Sequence, residues 1–379
     1  MEARTRWTAA IFLFIALDAA SLQIRGALLP RFESSFDVSA GLLGLVAPAG
    51  TVGFVLAVLV VGFTAGRVTI ERTILASVAA ASVLLGAMAL APIYALFLAA
   101  LFCHGLSLGA VRGLDRVVLS HLYPTRRGRV FTLHSLAWAI GAVSGPALAA
   151  FVVWFTDWRV AFGLLAVGFL PVLGLVSGLD VPSGIENEQP ISRAALSELA
   201  RTPAIVAMTA GLLLVGGIEG AIFTWLPYYA GESLPGALAP LALSAYLLAY
   251  VPGRLTYTAL SERVDYRLLT LAIALAAIPA MYLAFVVVSG YALLASVFVL
   301  GLFMSGQFPL ISAIGVEATP EYSGPANAIG TSATYVGIAV VPAVMGPVID
   351  VYAIGTAMLL PVVLSGGVAL VLGALWLAR

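Results

Sequence analysis

A few side chains able to carry chemistry stand inside a chain made mostly of apolar residues: Asp18, Arg25, His104, Arg112, Glu219 and Gln307. Carboxylates and imidazoles take up and release protons, while a guanidinium grips an anion in a fixed fork. Asp18 lies about 16 Å into its apolar run by helical rise. Arg25 comes seven residues later on the same helical face. A charge at the centre of a bilayer costs at least about 2.5 kcal/mol, so each such residue is expected to face a cavity or a partner.

Each residue admits a functional and a packing reading. Asp18 is a proton or cation site, or a satisfied packing carboxylate. Arg25 is an anion ligand or charge partner, or a side chain snorkelling to the headgroups. His104, near the middle of its run, is a proton relay or an imidazole bonded between helices. Arg112 is a cavity ligand, or it joins Asp115 and Arg116 in a salt-bridge set closing the cytoplasmic mouth. Glu219 has no charged neighbour within two helical turns in sequence and is the leading candidate for coupling a proton to movement. His134, near the start of its helix, is read as a cap or interface residue. Trp138, Tyr246 and Tyr250 are read as packing, and Trp225, Tyr228 and Tyr229 as an interfacial aromatic belt.

Other chemistries find no support. His104, His121 and His134 are scattered, no His-Glu-x-x-His occurs, and there is no phosphate-binding glycine loop. The single Cys103 excludes a disulfide framework and a cysteine metal cage. No cofactor, metal or catalytic residue is therefore expected, and the chain is not read as an enzyme. With 18 basic residues against 18 acidic ones and no basic cluster, a nucleic-acid partner is not expected either.

These residues need elements to hold them. The chain is 62% hydrophobic and 9% charged over 379 residues, more apolar surface than a water-soluble fold can hide. Cutting the apolar runs at charges, prolines and glycine clusters predicts twelve membrane-spanning helices, at 7–29, 40–65, 73–90, 94–117, 130–154, 160–179, 203–228, 236–260, 268–288, 291–316, 325–349 and 352–377. The runs are continuously apolar rather than alternating, which predicts helices and not barrel strands. Placing both termini in the cytoplasm leaves only Arg31 and Arg159 in outer loops, as the positive-inside rule demands. The polar stretch 183–200 reads as a cytoplasmic linker between an N-terminal six-helix bundle, 1–182, and a C-terminal one, 201–379.

The two halves repeat at an offset of about 196 residues. Leu29-Pro30 pairs with Leu226-Pro227, and Gly141 to Pro146 pairs with Gly337 to Pro342. Arg112 is nearly repeat-related to Gln307. Six helices separate the copies, so the halves share one orientation and are related by an axis along the membrane normal.

Twelve spans as six plus six, a linker after the sixth, and Gly141-x-x-x-Gly145-Pro146 resemble the major facilitator superfamily over nearly the whole chain. Its signature after the second helix is similar to Gly62-Phe63-Thr64-Ala65-Gly66-Arg67, with Gly66 where the family carries aspartate. The later copy keeps Ser261-Glu262-Arg263. The resemblance implies a cytoplasmic gate at Arg67, Asp115, Arg116, Glu262 and Arg263. Leu28-Leu29-Pro30-Arg31-Phe32, with Gly44 and Gly53 beyond it, is similar to the fucose–proton symporter branch, which carries acids where this chain has Gly26 and Arg112. The resemblance implies a secondary transporter of a small polar solute, sugar-like or an organic anion, working by alternating access and coupled to protons. A drug or lipophile exporter and a non-transporting membrane sensor are the alternatives. The expected setting is the cell membrane, as a multi-pass monomer whose partners are the bilayer, the solute and protons.

Overall fold

The computed structural model describes residues 3–63, 69–179, 199, 201–319 and 322–377. The expected linker lies outside these residues apart from its position 199. Among the described residues, eleven helices are long and apolar enough to cross a membrane. The eighth expected span is instead occupied by two consecutive shorter helices, Ala239–Leu248 and Tyr250–Ser261. Large apolar side chains such as Val83, Leu90, Phe151, Phe155, Val363 and Leu370 remain exposed, as lipid-facing positions must.

The helices group into two compact units, Met1–Arg25 with Ala49–Pro190, and Gly26–Pro48 with Ile191–Arg379. The first holds most of α1 (Ala3–Ala27) and of α4 (Val46–Phe63), then α5 (Ile70–Ala89), α6 (Tyr94–Arg112), α7 (Asp115–Leu122), α8 (Arg127–Phe155), α9 (Arg159–Gly168) and α10 (Leu170–Val176). The second holds α2 (Leu29–Phe36), α3 (Ala40–Leu43), α11 (Pro203–Ala230), α12 (Ala239–Leu248), α13 (Tyr250–Ser261), α14 (Tyr266–Tyr282), α15 (Ala292–Ser305), α16 (Gln307–Ala318), α17 (Ser323–Val351), α18 (Ile354–Ala357) and α19 (Leu359–Leu377).

The repeat is visible as geometry inside each unit. α8 and α17 are both 29 residues long, and their ends, 127 to 323 and 155 to 351, are displaced by 196 residues. Each carries an internal proline at the same place, Pro146 and Pro342, which removes one helical hydrogen bond. Helix crossings repeat too. Gly141 of α8 lies against the Ala16 carbonyl of α1, and Gly337 of α17 lies against the Leu213 carbonyl of α11. Gly105 of α6 meets the Gly50 carbonyl of α4, and Gly301 of α15 meets the Tyr246 carbonyl of α12, both partners shifted by 196. A Cβ at any of these glycines would overlap backbone, so the pairs fix how closely the helices approach.

Local sequence sets several helix ends. The Asp265 side chain accepts from the backbone N–H groups of Arg267 at 2.8 Å and Leu268 at 3.4 Å, capping α14. Asp37, after α2, takes a left-handed φ of 51°, a conformation that Asp tolerates better than most residues. In the second unit, Gly41 N–H donates to Asp350 Oδ2 at 2.8 Å and Tyr228 OH donates to Glu33 Oε1 at 3.2 Å, tying α2 and α3 to α17 and α11.

Candidate functional site

The first unit gathers four of its ionisable side chains into one buried network. Arg112 ends α6 and Asp115 begins α7, so the break at Gly113 and Leu114 sets a guanidinium beside a carboxylate. Arg112 Nη1 donates to Asp115 Oδ2 at 2.8 Å, and His134 Nε2 of α8 stands 2.9 Å from the same oxygen. Asp18 Oδ2 of α1 lies 3.7 Å from Arg112 Nε. Asp18, Asp115 and His134 are all buried. Two carboxylates thus converge on one arginine, which makes Arg112 part of an ion network rather than an open ligand.

Arg25 and His104 belong to the same unit, and Arg25 interacts electrostatically with Asp18 of that network without forming a direct ion pair. Both are buried, and Arg25 Nη2 lies 3.4 Å from His104 Nδ1. Arg25 Nε and His104 Nε2 have no hydrogen-bond partner among the described residues. The guanidinium reaches this position because residue 50 is glycine: a Cβ there would overlap Arg25 Nη1.

The second unit holds a different arrangement. Glu219, in the middle of α11, accepts a hydrogen bond from Tyr250 OH at 2.7 Å, and Tyr246 OH lies 3.0 Å from Tyr250 OH. Tyr246 and Tyr250 stand four residues apart and thus on one side of the chain as it passes from α12 to α13. The Arg254 guanidinium lies over the Tyr250 ring, 5.2 Å from its centroid. Gln307 is fully buried at the start of α16, its Nε2 3.3 Å from Met304 Sδ and its Oε1 without a partner among the described residues.

The expected gate residues fall differently. Asp115 belongs to the buried network, whereas Arg116 is exposed, with its guanidinium 6.0 Å from the Phe131 ring centroid. Glu262 and Arg263 are exposed in the turn at the end of α13. Arg67 lies outside the described residues. Trp225 does not rest at a surface: it is fully buried and its Nε1–H donates to the Pro342 carbonyl at 3.1 Å.

Four further side chains belong to these clusters or resemble their members, and of these only Gln23 is marked by its sequence context. His134 has the position of a cap, but its reach along α8 brings it to Asp115. Tyr246 and Tyr250 have the pattern of packing residues, because nothing in sequence links them to a carboxylate 31 residues before Tyr250. Gln23 is fully buried with neither side-chain polar atom partnered among the described residues, and an amide inside an apolar run is a readable signal. Among the described residues, no group of three His, Cys, Asp or Glu side chains is placed to hold a metal ion.

The described polar side chains thus form one ion network, one Arg25–His104 pair and one Glu219–tyrosine cluster, all on apolar helices. None of the curated proteins matches the chain. Solved structures do. The chain is similar to a D-xylose–proton symporter, with a TM-score of 0.82, 14% identity and coverage of 98% of this chain and 97% of that one. It is similar to the nucleoside transporter NupG, at a TM-score of 0.79 and 13% identity, covering 99% of each chain. It is also similar to FucP in an outward conformation, at a TM-score of 0.67 and 21% identity, over 98% of this chain and 99% of that one. At these identities the likeness establishes the fold. The sequence profile of the Major Facilitator Superfamily matches residues 11–238 and 231–379, so nearly every helix from α1 to α19 is covered. The chain is a multi-pass membrane protein and belongs to the Major Facilitator Superfamily.

Proposed function

We propose that this protein is a secondary transporter of the plasma membrane that moves a small polar solute by alternating access and couples that movement to protons. The observation that carries the coupling is Glu219. It is buried in α11 and accepts a hydrogen bond from Tyr250 OH, and the Arg254 guanidinium over the Tyr250 ring is the cation that acts on it. An ionised carboxylate in such surroundings costs several kcal/mol, and a proton removes that cost. A change that opens Glu219 to water on one side of the membrane and then the other would therefore carry a proton with it. The Tyr250–Tyr246 pair offers a chain of hydroxyls through which Glu219 is held in place. The similarity to a D-xylose–proton symporter and to a nucleoside transporter supports a polar solute of modest size.

The test is uptake into proteoliposomes under an inwardly directed proton gradient, with labelled xylose, fucose, uridine and lactate as probes. The native chain should concentrate at least one of them. Glu219→Gln, which fixes the uncharged form, should abolish accumulation and leave exchange of solute for solute intact. Accumulation undiminished in Glu219→Gln would refute the assigned coupling residue, and binding without any flux would identify a sensor instead.

A further inference from the structure

Building on the transport reading, we propose that Arg25 and His104 form an anion subsite, so that the transported solute carries a carboxylate. The charges of the first unit are unevenly shared. Arg112 has Asp115 at 2.8 Å and Asp18 at 3.7 Å, whereas Arg25 lies within 4 Å of no carboxylate among the described residues. Yet Arg25 is 5% exposed, and a guanidinium does not shed its proton to escape burial. Asp18 acts on this charge only from beyond ion-pair distance, and a buried cation without a direct partner costs several kcal/mol, a cost that a bound anion would offset.

The hydrogen-bond inventory narrows the ligand further. Arg25 can only donate, so His104 Nδ1, at 3.4 Å from Nη2, must accept. The neutral ring then carries its proton on Nε2, and that atom is buried without a partner among the described residues. Arg25 Nε–H is likewise buried and unpartnered. The cluster therefore presents a positive charge and two unused donors, with the imidazole acceptor already spent. A sugar or a nucleoside brings donors as well as acceptors. A carboxylate brings acceptors alone, together with the missing negative charge.

The backbone is built around this guanidinium. Gly50 leaves the space that Arg25 Nη1 fills, and Gly105 brings α6, with His104, against the Gly50 carbonyl. Gly50 thus serves both the helix crossing and the subsite, whereas its repeat partner 246 is a tyrosine. At the equivalent crossing the second unit therefore carries a ring, whose hydroxyl pairs with Tyr250 rather than making room for a guanidinium.

Counterflow in proteoliposomes tests the proposal with matched probes: labelled lactate, benzoate and gluconate against lactamide, benzamide and glucose. The native chain should exchange at least one carboxylate and not its neutral counterpart. Arg25→Gln should reduce that exchange by roughly tenfold or more, the value of one charge-assisted hydrogen bond. Arg25→Lys keeps the charge but loses the fork and should fall short of native exchange. Gly50→Ala, which leaves every charge in place and displaces the guanidinium, should also lose it. Circular dichroism and gel filtration show which variants fold; if Arg25→Gln does not, Gly50→Ala and His104→Gln decide. Exchange of neutral probes without any carboxylate overturns the anion subsite and leaves the transport reading standing. Carboxylate exchange unchanged in the folded variants also overturns it. Exchange of no probe at all overturns the transport reading itself.

Discussion

Asp115 is the residue whose loss should be felt most in the first unit. Its Oδ2 accepts from Arg112 Nη1 at 2.8 Å and lies 2.9 Å from His134 Nε2, and the side chain is 1% exposed. Removing one partner of a buried ion pair typically costs about 3–5 kcal/mol, because the remaining charge stays buried. Asp115→Asn should fall at the lower end, about 3 kcal/mol, since the amide keeps an oxygen and Arg112 keeps Asp18 at 3.7 Å. The double variant Asp115→Asn with Arg112→Gln breaks the same contact from both sides and should cost less than the sum of the two single variants, although it leaves Asp18 without Arg112. The assay is thermal unfolding of the purified protein in detergent, monitored by circular dichroism and tryptophan fluorescence. If the two substitutions destabilise additively, the buried network does not exist as a coupled unit, because independent sites add and paired ones do not.

Two other consequences concern packing and hydrogen bonding. Gly141→Ala and Gly337→Ala each drive a methyl into a backbone carbonyl of the crossing helix, and should each lower stability by about 1–3 kcal/mol. The effects should match within experimental scatter because the crossings are repeat-related, and a lowering at only one site would break the equivalence. Tyr250→Phe removes the 2.7 Å hydrogen bond to Glu219 and should cost about 1.5–3 kcal/mol when Glu219 is ionised. Its uptake should therefore respond to pH differently from that of the native chain, and an unchanged pH profile would remove Tyr250 from the coupling machinery.

Much of the architecture is legible in the sequence because lipid imposes simple rules. Apolar runs long enough to cross hydrocarbon mark helices, and the offset between Pro146 and Pro342 reappears as two 29-residue helices. The eighth span is harder to read, because Pro240, Pro252 and Arg254 interrupt its apolar run and the structure divides it at Ala249. The charged positions are legible singly, since a charge in an apolar run stands out. Their pairing is legible only where it is local, as for Arg112 and Asp115 three residues apart. Whether Asp115 meets Arg116 or His134 depends on how α8 crosses α7, which no local pattern encodes. The same limit hides Tyr250 from Glu219, while the two readings of Arg25 separate only once its neighbours are known.

The central claim is that solute and proton move together through this protein. The most direct measurement loads proteoliposomes with a pH-sensitive dye, adds each solute of the two probe panels outside without an imposed gradient, and records internal pH beside labelled solute. Entry of a solute accompanied by internal acidification, with the acidification lost in Glu219→Gln, is the predicted result. Solute entry with no change of internal pH would contradict it.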